Sequence, residues 1–229
     1  MLHPALEVDD GPPRGLKAKA EIHANAVLFS LEREDTVNTM QAYKSPLARA
    51  FASYRETRVP QIVLSLILID AQRAGQPAWV ADLPPHGADE IKTGLSFTAA
   101  EIESHFEGCR EVLGRTNALQ SMVDAAWGVI QTHSAEEKVT VTRYDLDHAV
   151  SIVLSRGFEV EISGDSHIYM LPVADMLNHH IDTVTRTSIQ FIEGRFIIRV
   201  SIARGWHISL RAPCRVNPNV EHARCIACC

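Results

Sequence analysis

The stretch Leu171-Pro-Val-Ala-Asp175-Met-Leu-Asn178-His179 ends an apolar run in a carboxylate, an amide and an imidazole. Taken by itself, this pattern describes a helix or strand end capped by Asn178, with His179 half exposed. Zinc binding by His179-His180 does not fit, because adjacent histidines do not face one another and no further His or carboxylate follows at a recognisable ligand spacing. A second group of reactive side chains lies at the end of the chain. Four of the five cysteines, Cys214, Cys225, Cys228 and Cys229, fall in the last sixteen positions, and Cys109 stands alone. His222, Cys225, Cys228 and Cys229 have a zinc-like spacing, but an unstructured tail accounts for them more simply. A four-residue C-terminal lipidation pattern fails because Ile226 occupies the position a cysteine would need. The odd cysteine count, with no basic or apolar leader after Met1, predicts reduced thiols in an intracellular compartment rather than a disulfide framework.

The elements that must position these groups belong to a globular protein of 229 residues, 46% hydrophobic and 22% charged. At about 100–200 residues per domain, this is one domain or one domain with a large insertion. The formal net charge of −6 and the lack of a Lys/Arg cluster argue against a nucleic-acid partner. The longest apolar run, Ile62–Ile69, is interrupted by Ser65 and ended by Asp70, too short to span a bilayer.

Three zones differ in texture. Residues 14–43 hold one strand-like run, Val27–Leu31; residues 44–156 are mostly helical in pattern; residues 158–210 turn to β character. Pro60 fits the first turn of a helix carrying Ile62, Val63, Leu66, Ile67 and Ile69, with Gly75 and Pro77 stopping it. Thr98 and Glu101 form a capping-box pattern ahead of Ile102 and Phe106, with Gly108 as the terminating glycine. A third helix starts near Asp145, carries Leu146, Ala149, Val150, Val153 and Leu154, and ends at Gly157. Alternation at Ile189/Phe191 and at Phe196/Ile198/Val200 around Glu193-Gly194 predicts a β-hairpin. A helical block between β segments implies an α+β fold, a β-rich scaffold with an inserted helical subdomain.

The segment Pro172–His179 resembles the signature of SET-domain protein methyltransferases of the Rubisco large-subunit lysine methyltransferase type, which include the actin-histidine methyltransferases. Other parts match in order. Arg14-Gly15-Leu16, Ile22 and Val27–Ser30 look like the family's opening turn and strand. Gln72–Gly75, Trp79 and Leu83-Pro84 look like part of its helical insertion, and Phe97-Thr98 through Glu107-Gly108 resemble the helix that follows. Ala149–Phe158 is similar to the helix that leads back into the SET core. The resemblance therefore divides the chain into an N-terminal part of a SET core at 13–43, a helical insertion at 44–145, a C-terminal part of the core at 146–210 and a divergent tail at 211–229.

The resemblance implies methyl transfer from S-adenosylmethionine (SAM) to a lysine, with histidine the lesser alternative, on a non-histone protein. Asn178 and His179 would hold SAM, Arg14 and Gly15 would lend backbone groups, and Arg156 would pair with its carboxylate. Asp175 would brace the turn that carries Asn178, and Ser155 and Phe158 would lie near the channel for the target side chain. Each has a structural alternative: Gly15 as a turn glycine, Arg156 as a complement to a helix dipole, Phe158 as core, Asp175 as a cap.

The chain departs from the family in three places. Pro13 stands where a glycine is usual, the Trp79–Pro84 stretch is short and lacks a tyrosine, and Leu210 occupies the position of the tyrosine whose hydroxyl borders the methyl-transfer channel. Leucine cannot orient the acceptor or bear on its proton. Beyond Ser209 nothing resembles the family, including its C-terminal substrate-binding domain. One hypothesis covers both losses: Leu210-Arg-Ala-Pro213 can be encoded by codons that read Tyr-Gly-Pro one base later, which makes the tail a reading-frame or splice product or a truncated isoform. The function these residues imply is a SAM-dependent protein methyltransferase, with a catalytically inactive SAM-binding or protein-interaction module as the alternative.

Overall fold

A computed structural model describes residues 2–9, 15–20, 22–23, 25–85, 91, 93–105, 109–162, 164–174, 187–200 and 223–225. In chain order the strands and α-helices are β1 (Leu6–Asp9), β2 (Gly15–Ala18), β3 (Val27–Glu32), β4 (Val37–Asn38), α1 (Pro46–Ala50), α2 (Pro60–Ala74), α3 (Ala99–His105), α4 (Arg110–His133), α5 (Arg143–Arg156), β5 (Gly157–Ile162), β6 (Asp165–Met170), β7 (Thr187–Ile192), β8 (Arg195–Val200) and β9 (Ala223–Cys225). The fold is α+β. The chain divides into two compact units, one made of Met1–Thr36 with Arg156–Cys229 and one of Val37–Ser155. Among the described residues, no helix is long and apolar enough to cross a membrane.

The first unit is built of antiparallel strands. β1 pairs with β2 from Leu6↔Ala18 to Asp9↔Gly15. β8 lies between β3 and β7. The β7–β8 hairpin closes through Glu193 and Gly194, with φ of 51° and 82°. Positive φ at both central residues is what a two-residue turn with the strands' own twist demands. The turn is anchored to β3: Arg195 Nε donates to Glu32 Oε1 at 2.6 Å, Nη2 donates to the same oxygen, and the Arg33 N–H donates to Gly194 O at 3.1 Å. The hydrogen bond and charge of Glu32 hold the Arg195 guanidinium above its ordinary pKa. The inward residues of these strands make a core in which Leu28, Tyr169, Leu171, Phe196 and Ile198 are fully buried. The Phe196 ring meets Tyr169 edge-on at 4.7 Å between centroids and Phe191 at 4.9 Å.

β5 lies between β6 and β9. The tail of the chain is therefore not wholly irregular, as its composition predicted: Ala223, Arg224 and Cys225 pair with Val160, Glu159 and Phe158. On its side away from β6, β5 takes β9 by backbone pairing, which an edge strand offers to a further strand whatever the side chains.

The second unit is helical. In α2 the residues Ile62 and Leu64–Ile69 are all buried, so the helix is apolar around its whole circumference and forms the unit's centre. Ser65 is accommodated there because its hydroxyl donates to Gln61 O at 2.7 Å. Pro60 occupies the first turn, where its missing N–H costs nothing. Gly75, with φ 63°, ends the helix: its N–H reaches Gln72 O at 3.2 Å while the Gln76 N–H reaches Ala71 O at 3.0 Å. That is the Schellman arrangement, which a glycine makes without strain. The expected capping box is present before α3, with the Thr98 N–H donating to Glu101 Oε2 at 2.7 Å and the Glu101 N–H donating to Thr98 Oγ1 at 3.3 Å. Phe106 and Gly108 lie outside the described residues.

α5 begins earlier than the apolar pattern indicates. Thr142 caps it, accepting from the Asp145 N–H at 3.1 Å while its own N–H donates to Asp145 Oδ2 at 2.9 Å. Asp145 is thus the third residue of a capping box. Two arginines fasten this end. Arg143 donates to Asp124 Oδ1 at 2.7 Å and Asp147 Oδ1 at 2.8 Å, and Arg73 donates to Thr140 O at 2.6 Å. Burial opposes the charge on Arg143, but the bonds to Asp147 and Asp124 outweigh it and hold the guanidinium above its ordinary pKa.

Candidate functional site

The sequence singles out Arg14, Gly15, Ser155, Arg156, Phe158, Asp175, Asn178, His179 and Leu210. Arg14, Asp175, Asn178, His179 and Leu210 lie outside the described residues. Gly15, Ser155, Arg156 and Phe158 can be placed.

Gly15 opens β2, in register with Asp9 at the end of β1. Arg156 is the last residue of α5 and is half-buried. A cation there complements the partial negative charge of the helix C-terminus. Ser155, one residue earlier, is half-buried and donates from Oγ to Ile152 O at 3.1 Å. The helix gives way directly to β5 at Gly157, and Phe158 follows as a 6% exposed strand residue opposite Tyr169. It packs in the same core as Leu28, Leu171 and Ala174. The structure thus gives Phe158 a packing role. Ser155-Arg156 and Phe158 sit on either side of a helix-to-strand junction.

The described start of the signature segment contains a feature that its residue types do not reveal. After β6 the chain runs through buried Leu171 and Pro172 into Val173, whose φ is 71°, and then into Ala174, 1% exposed. A β-branched residue in the left-handed region is a true outlier, because its Cβ substituents crowd the backbone there. Strain of this order, about 1–3 kcal/mol, persists only where the surroundings over-determine the chain, and it collects at functional sites. Pro172 can open a turn, but nothing in the sequence signals a left-handed valine after it. Among the described residues, no group of three or more His, Cys, Asp or Glu side chains is placed to hold a metal ion.

The second unit contains a cavity of about 420 Å³, lined by Ile69, Gln72, Val80, Leu83, Asp145 and His148 among others. It includes the Gln72–Gly75 and Leu83-Pro84 segments of the motif set and none of the candidate site residues.

No protein-family profile and no curated protein matches the chain. Solved structures do. The SET domain of LSMT bound to lysine and AdoHcy superposes with a TM-score of 0.67 and 16% identity, over 91% of this chain and 48% of that one. The SET domain of LSMT bound to MeLysine and AdoHcy gives 0.64 and 16%, over 96% and 48%. Rubisco LSMT bound to AdoMet gives 0.68 and 17%, over 91% and 47%. The chain spans about half the length of these structures. The strand-built unit of Met1–Thr36 with Arg156–Cys229, the helical unit between its two parts, and this likeness across nine-tenths of the chain lead to one conclusion about architecture: the chain has the SET-domain fold.

Proposed function

We propose that the chain binds SAM and transfers its methyl group to a lysine, or as the lesser alternative a histidine, on a non-histone protein. The observation that carries this reading is the fold: it is shared with SET domains whose structures hold AdoMet, or AdoHcy with lysine. The chemistry of the residues fits the cofactor. An arginine suits the carboxylate of SAM, an asparagine amide and backbone carbonyls suit its ammonium, and backbone N–H groups suit the adenine edge.

On this reading Arg156 pairs with the carboxylate, Asn178 and His179 hold the amino-acid end, and Arg14 and Gly15 lend backbone groups. Asp175 braces the turn that carries Asn178. SAM, when bound, supplies a sulfonium methyl open to in-line displacement. The chain's own contribution is positioning. Ser155 and Phe158 border the path of the incoming side chain, which must arrive neutral, aligned and shielded from water. The partner is a protein, and the compartment is intracellular.

A second reading has a specific observation behind it. Leu210 stands where the resembling enzymes have a tyrosine, so binding of SAM without transfer defines a SET-fold interaction module. Equilibrium binding of SAM, followed by labelled-methyl transfer to cell extract, separates the outcomes. Binding with labelling of a protein band supports the enzyme. Binding without labelling supports the module, and no binding at millimolar SAM removes both.

A further inference from the structure

Val173 holds a backbone conformation that its own side chain disfavours, with φ 71°. A glycine meets that φ without strain, so the turn alone does not call for a valine. What valine adds is an anchor. Its side chain is half-buried and packs against the core of the first unit, with buried Leu171 and Pro172 before it and buried Ala174 after it. A branched Cβ stays crowded in the left-handed region only where the surroundings hold the chain in place. Here both the neighbours and the side chain itself supply the hold. The place of the turn in the fold gives that hold a use. β5 and β6 run antiparallel, in register from Gly157↔Met170 to Ile162↔Asp165. The chain enters β5 from Arg156 and leaves β6 toward Pro172 at the same end of this ladder. Val173 lies three residues past Met170. Asp175 follows Ala174 directly, with Asn178 and His179 soon after it. The direction in which the chain leaves Ala174 is therefore set at Val173.

We propose that Val173 is a positioning residue for the cofactor: its packed side chain and left-handed backbone fix the exit of the segment that carries Asp175, Asn178 and His179, and so keep the amino-acid end of the SAM site pre-formed. Val173 acts through the residues that follow it and touches no cofactor itself, and its role rests on the SAM binding proposed for this chain. The physical gain is pre-organisation. A chain that leaves Ala174 in one direction spares SAM the free energy of selecting that direction among several. Glycine would make the turn at lower strain but would leave the exit free to swing. The strain is thus the cost of an anchored turn, held at the start of the segment that must present the amide and the imidazole.

The test compares the unaltered chain with Val173→Gly and Val173→Ile. Isoleucine keeps a branched, packed side chain, whereas glycine removes the crowding and the anchor together. Calorimetric titration gives the affinity for SAM, circular dichroism gives the melting temperature without SAM, and mass spectrometry gives backbone hydrogen exchange over residues 175–179, also without SAM. In Val173→Gly the relief of crowding offsets the lost packing, so the melting temperature should stay within about 2 °C of the unaltered value. The dissociation constant for SAM should rise about tenfold, as it does when only about one molecule in ten holds the binding direction. Exchange over 175–179 should quicken about tenfold with it. Val173→Ile should keep all three near the unaltered values. Equal SAM affinity in the unaltered chain and Val173→Gly overturns the proposal while leaving SAM binding intact. So does unchanged exchange over 175–179. A Val173→Gly chain that loses melting temperature and affinity together, or fails to fold, overturns it as well, because the valine then serves the core alone. An unaltered chain that binds no SAM removes the proposed function and this role with it.

Discussion

The carboxylate of Asp70, near the end of α2, serves the start of a different helix: its Oδ2 accepts from Ser45 Oγ at 2.5 Å and from the Leu47 N–H at 2.9 Å. Ser45 in turn accepts from the Ala48 N–H at 3.0 Å, so hydroxyl and carboxylate together satisfy two of the N–H groups that α1 leaves open. Asp70→Ala leaves the Ser45 hydroxyl and the Leu47 N–H without their acceptor in a part-buried setting. A loss of about 1–3 kcal/mol is expected, a melting temperature lower by several degrees. Thermal unfolding by circular dichroism checks it, and a change under half a degree would mean that water replaces the carboxylate freely.

Gly94 approaches α4 too closely for a side chain. A Cβ placed there would lie 2.8 Å from Thr116 Cγ2, and Thr116 is stiff at its branched Cβ and 8% exposed. Gln120 Nε2 holds the same segment by donating to Gly94 O at 3.2 Å. Gly94→Ala should cost about 1–3 kcal/mol, and Thr116→Ala in the same chain should restore much of it. The readout is the coupling energy from urea unfolding of the two single variants and the double. Additive effects would show that the clash is relieved elsewhere.

Glu193 occupies a left-handed turn position, φ 51°, that asparagine tolerates better than glutamate does. Glu193→Asn should therefore stabilise the chain by about 0.5–1 kcal/mol, and Gly194→Ala should destabilise it by about 1–2 kcal/mol. Chemical denaturation midpoints for the two variants should move in opposite directions.

The proposed function makes its own demand on Asn178. Asn178→Ala should raise the dissociation constant for SAM at least about tenfold, equivalent to losing about 1.4 kcal/mol of binding, while leaving the unliganded melting temperature in place. Calorimetric titration beside a thermal melt separates loss of a cofactor contact from loss of fold. Leu210→Tyr tests the proposed loss of the hydroxyl, with labelled-methyl transfer expected to rise.

The parts of this fold that were legible in the sequence are those whose cause is local. Pro60 and Gly75 mark the ends of α2, Thr98 and Glu101 declare a capping box three residues apart, and Glu193-Gly194 between two alternating runs is a hairpin. α5 is legible to within two residues, its start near Asp145 moving only to Arg143 because Thr142 and Asp145 make the capping pair. Features with distant or weakly patterned causes were not legible. Asp70 acts on residues 23 and 25 positions earlier. β9 is three residues long and owes its conformation to the edge it meets. The left-handed φ of Val173 contradicts the preference of its own side chain. For the site the contrast is sharper. Asp175, Asn178 and His179 form no pattern that physics alone distinguishes from a capped helix end, and only their order within a longer set of motifs points to a cofactor.

The strand order of the first unit has a consequence for how the chain is made. β3 pairs with β8, so Glu32 waits for Arg195, 163 residues later in the chain. At translation rates of about 5–20 residues per second, β3 leaves the ribosome roughly 10–30 s before its partner exists. The whole of Val37–Ser155 is synthesised in that interval. The helical unit is thus free to fold first, and β1 and β2 can pair with each other, while β3 waits for β8 to emerge.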